Sequence, residues 1–183
     1  MIRHPDCDPV VLVADIPEQA RDWRNDFRIR RWCRQEGLIS KAQHNDWLER
    51  IHNDPSIIMM GIEKYQSGRI IGEPKDIKYS NPIGVCGLTS IDRKNGKAEF
   101  SLYIEPDSRH KGYATKALSL LLKFGFENLR LNRIWGEVFE GNPAMQIFER
   151  LGFKEEGRQR QTYWKGGRFI DTYIISILQE DYF

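Results

Sequence analysis

The sequence predicts a mixed α/β domain in which helices interrupt a largely antiparallel sheet. Three observations lead there. Ala98 to Ile104 alternates strictly, with Ala98, Phe100, Leu102 and Ile104 on one face and Glu99, Ser101 and Tyr103 on the other. Ala114, Ala117, Leu118, Leu121 and Leu122 fall at i, i+3, i+4, i+7 and i+8, the apolar stripe of an amphipathic helix. Near the end of the chain, Thr172 to Leu178 is apolar on both faces, as a strand central in a sheet must be.

Taken in order, Val10-Val11-Leu12-Val13 reads as a short strand. Pro17 opens a helix with Ala20, Trp23 and Phe27 at helical spacing. A second helix starts at Ser40, where Gln43 three residues on completes a capping box. It carries Trp47, Leu48 and Ile51 on one face, and Asn53-Asp54-Pro55 stops it. Ser56 to Met60 is the next strand, and Ile70-Ile71-Gly72 is a candidate for another. Ile83 to Leu88 and Ala98 to Ile104 form a pair joined by the turn Lys94-Asn95-Gly96-Lys97. After the long helix come a strand from Arg133 to Phe139, a short helix from Pro143 to Leu151, and two closing strands. Lys165-Gly166-Gly167-Arg168 turns one of these into the other.

At 183 residues the chain fits one domain, 1–183, and no repeat or linker divides it. With 28 Lys+Arg against 26 Asp+Glu, the charge is too balanced to indicate a nucleic-acid binder. Cys7, Cys33 and Cys86 cannot form a closed disulfide set, and neither a signal core nor a membrane-length apolar run is present. A cytoplasmic location is the expectation. His4, His44, His52 and His110 make no metal-ligand pattern, so no metal is expected. Cys86, inside an apolar strand, reads as core. Arg28, Arg30, Arg31 and Arg34 around Trp32 read as a solvated helix face or as a contact for a phosphorylated acceptor or RNA.

Arg109-His110-Lys111-Gly112-Tyr113-Ala114 joins a strand to the strongest helix. The first-turn N–H groups of a helix are unpaired and carry about half a positive charge, so cations and a glycine placed there suit a diphosphate. The same residues also suit a plain basic loop. Neither a P-loop nor a dinucleotide fingerprint is present.

Arg109-x-x-Gly112-x-Ala114 resembles the [QR]-x-x-G-x-[GA] motif of the GNAT acetyltransferase superfamily. About 30 residues further on, Asn142-Pro143-Ala144 followed by Phe148-Glu149-Arg150-Leu151-Gly152-Phe153 is similar to that family's N-x-x-A…[YF]-E-K-L-G-F block. The likeness runs from Val10 to Leu178. Trp23-Arg24-Asn25-Asp26, His44-x-x-Trp47-Leu48 and Glu156-Gly157 resemble the branch holding ribosomal-protein N-terminal and aminosugar acetyltransferases.

The resemblance implies the GNAT fold, a mostly antiparallel sheet of about seven strands with about four helices. It implies acetyl-CoA in a V-shaped opening between the strand ending at Ile104 and the strand from Arg133 to Phe139. Leu102, Tyr103 and Ile104 would pair with the pantetheine arm as a further strand does. Arg109, His110, Lys111, Gly112, Tyr113, Ala114 and Thr115 would cradle the pyrophosphate. Asn142 would bond the arm, and the helix with Phe148 would cover the thioester end. An amine acceptor would attack directly. Only about a thousandth of an alkylamine is free base at neutral pH, so a carboxylate base is expected. Glu99, or else Glu137, is the candidate, although each also suits a solvated strand face. Phe148 stands where many of these enzymes have a tyrosine acid, leaving water, Tyr103 or Ser101 for that role.

An aminosugar nucleotide and a protein N-terminus stand level as acceptors; a polyamine is disfavoured, because the N-terminal half is not notably acidic. A non-catalytic acyl-CoA-binding or sensor domain is the rival reading, suggested by the missing tyrosine. Edge strands in this fold often pair, which allows a homodimer.

Overall fold

The computed structural model describes residues 10–64 and 81–182. The candidate strand at Ile70-Ile71, together with His4 and Cys7, lies outside the described residues. Within them runs a seven-stranded sheet: β1 (Val10–Val13), β2 (Ile58–Lys64), β3 (Asn81–Asp92), β4 (Lys97–Ile104), β5 (Arg133–Phe139), β6 (Lys154–Lys165) and β7 (Arg168–Leu178). The spatial order is β1-β2-β3-β4-β5-β7-β6. Every neighbouring pair is antiparallel except β4 with β5. The strand that is apolar on both faces, β7, indeed lies inside the sheet.

The helices are α1 (Ala20–Asn25), α2 (Phe27–Arg30), α3 (Lys41–Asn53), α4 (Tyr113–Lys123), α5 (Met145–Arg150) and α6 (Gln179–Tyr182). The single helix expected from Pro17 through Phe27 is two short ones. Asp26 is extended at φ −63° and ψ 129°, and its carboxylate accepts the Arg28 N–H, so the residue ends one helix and caps the next. Trp23 is buried, whereas Phe27 turns outward. Ser40 and Gln43 form the expected reciprocal capping box on α3. The apolar face of α3 packs less tightly than its pattern suggests, since Trp47, Leu48 and Ile51 are only half-buried.

One face of the sheet holds the main core. Leu118, Leu121 and Leu122 of α4 pack in one cluster with Val10, Leu12, Ile62, Leu88, Phe100 and Ile134. Each fully buried side chain of this kind is worth about 1.5–3 kcal/mol. On the other face, Glu99, Ser101 and Tyr103 of β4 look towards the segment carrying α1 and α2, where the Tyr103 hydroxyl donates to the Ala20 carbonyl at 3.4 Å. Cys86 is fully buried in β3, and burial pushes its thiol well above the ordinary range.

Candidate active site

The site begins where the sheet comes apart. β4 and β5 run parallel and pair only over Lys97–Glu99 against Arg133–Trp135. Beyond Glu99, β4 keeps its pairing to β3 as far as Ile104 but has no partner on the β5 side. Leu102, Tyr103 and Ile104 therefore lie on a strand edge that faces an opening, the arrangement that accepts an extended ligand as an added strand. Where the strands part, aromatic rings pack in the core. Phe100 meets Phe148 at 5.1 Å and Phe153 at 5.2 Å between ring centroids. Gly136 of β5 lets the Phe100 ring lie against it, since a Cβ there would sit 2.4 Å from the ring.

Beyond β4, the turn Pro106–Ser108 leads into the loop before α4. Gly112 is the N-cap of α4, with φ 78° in the left-handed region and no atom near where a Cβ would stand. His110 shares that backbone region at φ 61° and is exposed. Arg109 donates from Nη1 to the Arg28 carbonyl at 3.1 Å, and Lys111 donates from Nζ to the Asp107 carbonyl at 3.1 Å. Tyr113 is buried, while Ala114 and Thr115 are half-buried on the first turn. Asn142 sits in the turn before α5, where its Oδ1 accepts the Ala144 N–H at 3.0 Å. Phe148 is buried against both Phe100 and Phe153.

Glu99 and Glu137 come together where this opening begins, linked by Arg34. The Arg34 guanidinium donates from Nη2 to Glu99 Oε1 and, at 2.8 Å, from Nε to Glu137 Oε2. Glu137 is the more enclosed, with its side chain 7% exposed. Its Oε1 accepts the Thr172 hydroxyl at 2.7 Å, and its Oε2 also accepts the Tyr163 hydroxyl at 3.0 Å. Burial pushes the Glu137 carboxyl up, but the bonds from Thr172, Arg34 and Tyr163 outweigh it and hold the group below the usual carboxylate range. The Tyr163 phenol is pushed up by burial and by the carboxylate beside it. Tyr103 is pushed up too, chiefly by burial, which makes it a weak proton donor.

The arginine cluster is therefore not one solvated helix face. Arg28 bonds Asp26 and Asp107, Arg30 bonds the Glu36 carbonyl, and Arg31 lies 4.5 Å over the Trp32 ring. Arg34, beyond the end of α2, reaches the two glutamates. A second cation helps to fix this segment. Lys165, at the tip of the β6–β7 hairpin, is buried and donates to the carbonyls of Arg31, at 3.4 Å, and Cys33. Its ammonium also stands 4.5 Å over the Phe139 ring. Sequence reasoning missed Tyr163, Thr172 and Lys165 and misplaced Arg34, because these contacts join residues far apart in the chain and leave no local pattern.

No group of three or more His, Cys, Asp or Glu among the described residues could hold a metal ion, and none of their helices is long and apolar enough to cross a membrane.

Residues 10–154 match the model of a family described as the acetyltransferase (GNAT) domain. An uncharacterized N-acetyltransferase, p20, of Bacillus licheniformis is 38% identical over 101 residues; that match covers 55% of this chain and 57% of p20. The uncharacterized N-acetyltransferase YoaA of Bacillus subtilis is 32% identical over 151 residues, covering 80% of this chain and 84% of YoaA. Among solved structures, the spermidine N-acetyltransferase of Vibrio cholerae in complex with CoA and spermine superposes with a TM-score of 0.83 at 25% identity. The superposition covers 95% of this chain and 98% of that one.

Proposed function

The chain belongs to the GNAT acetyltransferase domain family, and from that premise we propose that it is an acetyl-CoA-dependent N-acetyltransferase acting on a primary amine. The observation that carries this reading is the parting of β4 from β5 after three paired residues, beside a helix that starts at a left-handed glycine.

The residues present fit the cosubstrate. The free edge of β4 at Leu102, Tyr103 and Ile104 offers backbone groups to the pantetheine amides. The loop from Arg109 to Thr115 offers the unpaired N–H groups of the first turn of α4 and two cations to the pyrophosphate. Asn142, in the turn after β5, would meet the arm. Acetyl-CoA supplies a thioester: the amine nitrogen bonds the carbonyl carbon, the C–S bond breaks, and CoA leaves as its thiol.

This chain's own groups handle the protons. Glu99 has the simpler environment of the two carboxylates and takes a proton from the acceptor ammonium, directly or through one water. Glu137, with three side-chain donors on it, anchors Arg34 and lines the acceptor side. A backbone N–H of β4 polarises the thioester oxygen. Water or Ser101 returns a proton to the thiolate, since Phe148 has none to give and Tyr103 is occupied with Ala20.

For the acceptor, the branch resemblance favours an aminosugar nucleotide or a protein N-terminus, while the Vibrio cholerae neighbour is described with spermine. The test is CoA release from acetyl-CoA across UDP-aminosugars, Ser- and Ala-terminated peptides and spermidine, with product masses. Acetylation of one class supports the reading. Absence of transfer together with stabilisation by acetyl-CoA favours a sensor, and absence of both removes the reading.

A further inference from the structure

The feature that calls for explanation is a cation already seated between the two carboxylates. An amine acceptor is held as its ammonium before it loses a proton, and Glu99 and Glu137 are two acidic groups that meet where β4 and β5 part. Arg34 engages both of them. It comes from the irregular stretch after α2, its side chain is 46% exposed, and no helix or strand fixes its backbone. Two carboxylates and one guanidinium leave a single net negative charge there, enough to balance one ammonium.

The surroundings are basic. Between residues 24 and 34 the chain carries Arg24, Arg28, Arg30, Arg31 and Arg34 against Asp26 as the one acid. Arg24 lies within electrostatic reach of Tyr103, Cys33 and Lys165, on the same face of the sheet as Glu99. Its Nη1, like Nε of Arg30, is buried without a hydrogen-bond partner. The Lys165 ammonium adds a further positive charge.

We propose that Arg34 sets the charge class of the acceptor: it fills the place between Glu99 and Glu137 that a second ammonium would need, so the enzyme takes an amine whose remainder carries negative charge and rejects polyamines. This rests on the acetyltransferase reading and narrows it. A polyamine entering the site meets like charge from Arg34, Arg24 and Lys165, whereas a phosphate- or carboxylate-bearing amine meets opposite charge at each. Arg34 is on this account a specificity-determining residue and not a catalytic one.

The experiment is calorimetric titration of spermine into the protein as purified, without CoA, for the wild type and for Arg34→Gln and Arg34→Lys. The glutamine variant is expected to bind spermine about tenfold or more tightly than wild type, and the lysine variant to stay close to wild type. In turnover, Arg34→Gln should lower KM for spermidine and raise KM for a UDP-aminosugar, with kcat moving less than KM. Wild-type protein that binds spermine as tightly as Arg34→Gln overturns the proposal. So does a lysine variant that behaves like glutamine, since a merely structural loss would not distinguish charge from shape. If Arg34→Gln does not fold, tight spermine binding by wild type still overturns the proposal, and weak binding shared by wild type and Arg34→Lys supports it. Stabilisation of the wild type by acetyl-CoA is read separately, so failure of the acetyltransferase reading appears there and failure of the charge rule appears in the spermine titration.

Discussion

Arg34 and Glu137 stand 103 residues apart in the chain, yet Nε of one lies 2.8 Å from Oε2 of the other. That contact ties the irregular segment after α2 to β5, the strand of the C-terminal half-sheet that borders β4. It also makes the point where β4 and β5 part a joint product of distant parts of the sequence, so changes around it report on geometry as well as on chemistry.

Tyr163→Phe removes one of the three side-chain donors on Glu137. A carboxylate held low in the folded state adds stability above the unfolded-state value, and that stability disappears as pH falls through the folded value. With the phenol gone, the folded value of Glu137 moves up. The expected outcome is a loss of about 1 kcal/mol at neutral pH and an acid-unfolding midpoint displaced to higher pH. Circular dichroism across a pH series checks it; a midpoint displaced to lower pH contradicts the bond.

Gly136→Ala sets a methyl group against the Phe100 ring, which Phe148 and Phe153 hold from other sides. Overpacking of this sort costs about 1–3 kcal/mol. Urea unfolding should show that loss, and acetyl-CoA affinity should fall with it, because the ring supports the place where β4 and β5 part. Unchanged stability would mean that the ring has room to move aside.

Phe148→Tyr places a hydroxyl within the buried aromatic cluster. With no partner there it costs about 1–3 kcal/mol. Acetyl-CoA affinity is expected to stay within tenfold of wild type, with no gain in kcat. A clear rise in kcat would show that the hydroxyl reaches the thiolate, and that the ring leaves the aromatic cluster during turnover.

Gly112→Ala forces a side chain into the left-handed region at the start of α4, at about 1–2 kcal/mol. Space is not limiting at that position, so the melting temperature should fall by a few degrees on backbone grounds alone. The acetyl-CoA dissociation constant should rise several-fold, as measured by titration. Unchanged affinity would detach the loop from the pyrophosphate.

What was legible in the sequence is what local chemistry dictates. Ser40 with Gln43, the alternation in β4, the stripe of α4 and the Gly166-Gly167 turn each write their structure within a few residues, and each is found where expected. The juxtaposition of Glu99 and Glu137 was also within reach, because both sit on strands expected to flank the opening. Asp26 shows the limit. Its capping bond to Arg28 competes with a helix that the apolar spacing favours, and spacing alone does not weigh the two. Arg34 and Lys165 lie further out of reach. Long flexible cations reveal their partners only after the chain has folded around them. The direction of the Phe148 ring likewise depended on Phe100 and Phe153, which no motif spells out.

The three-residue ladder between β4 and β5 has a mechanical meaning beyond making room for a ligand. It divides the sheet into a four-stranded block, β1 to β4, and a three-stranded block, β5, β7 and β6, which meet along a seam where the backbone ladder is brief. Amide hydrogens on the two blocks are expected to exchange as separate cooperative units, with those at the seam exchanging through local opening. A molecule lying along the free edge of β4 would slow exchange in both blocks together. Exchange of β5 amides, across the seam from that edge, thus becomes a direct gauge of whether the sheet behaves as two pieces or one.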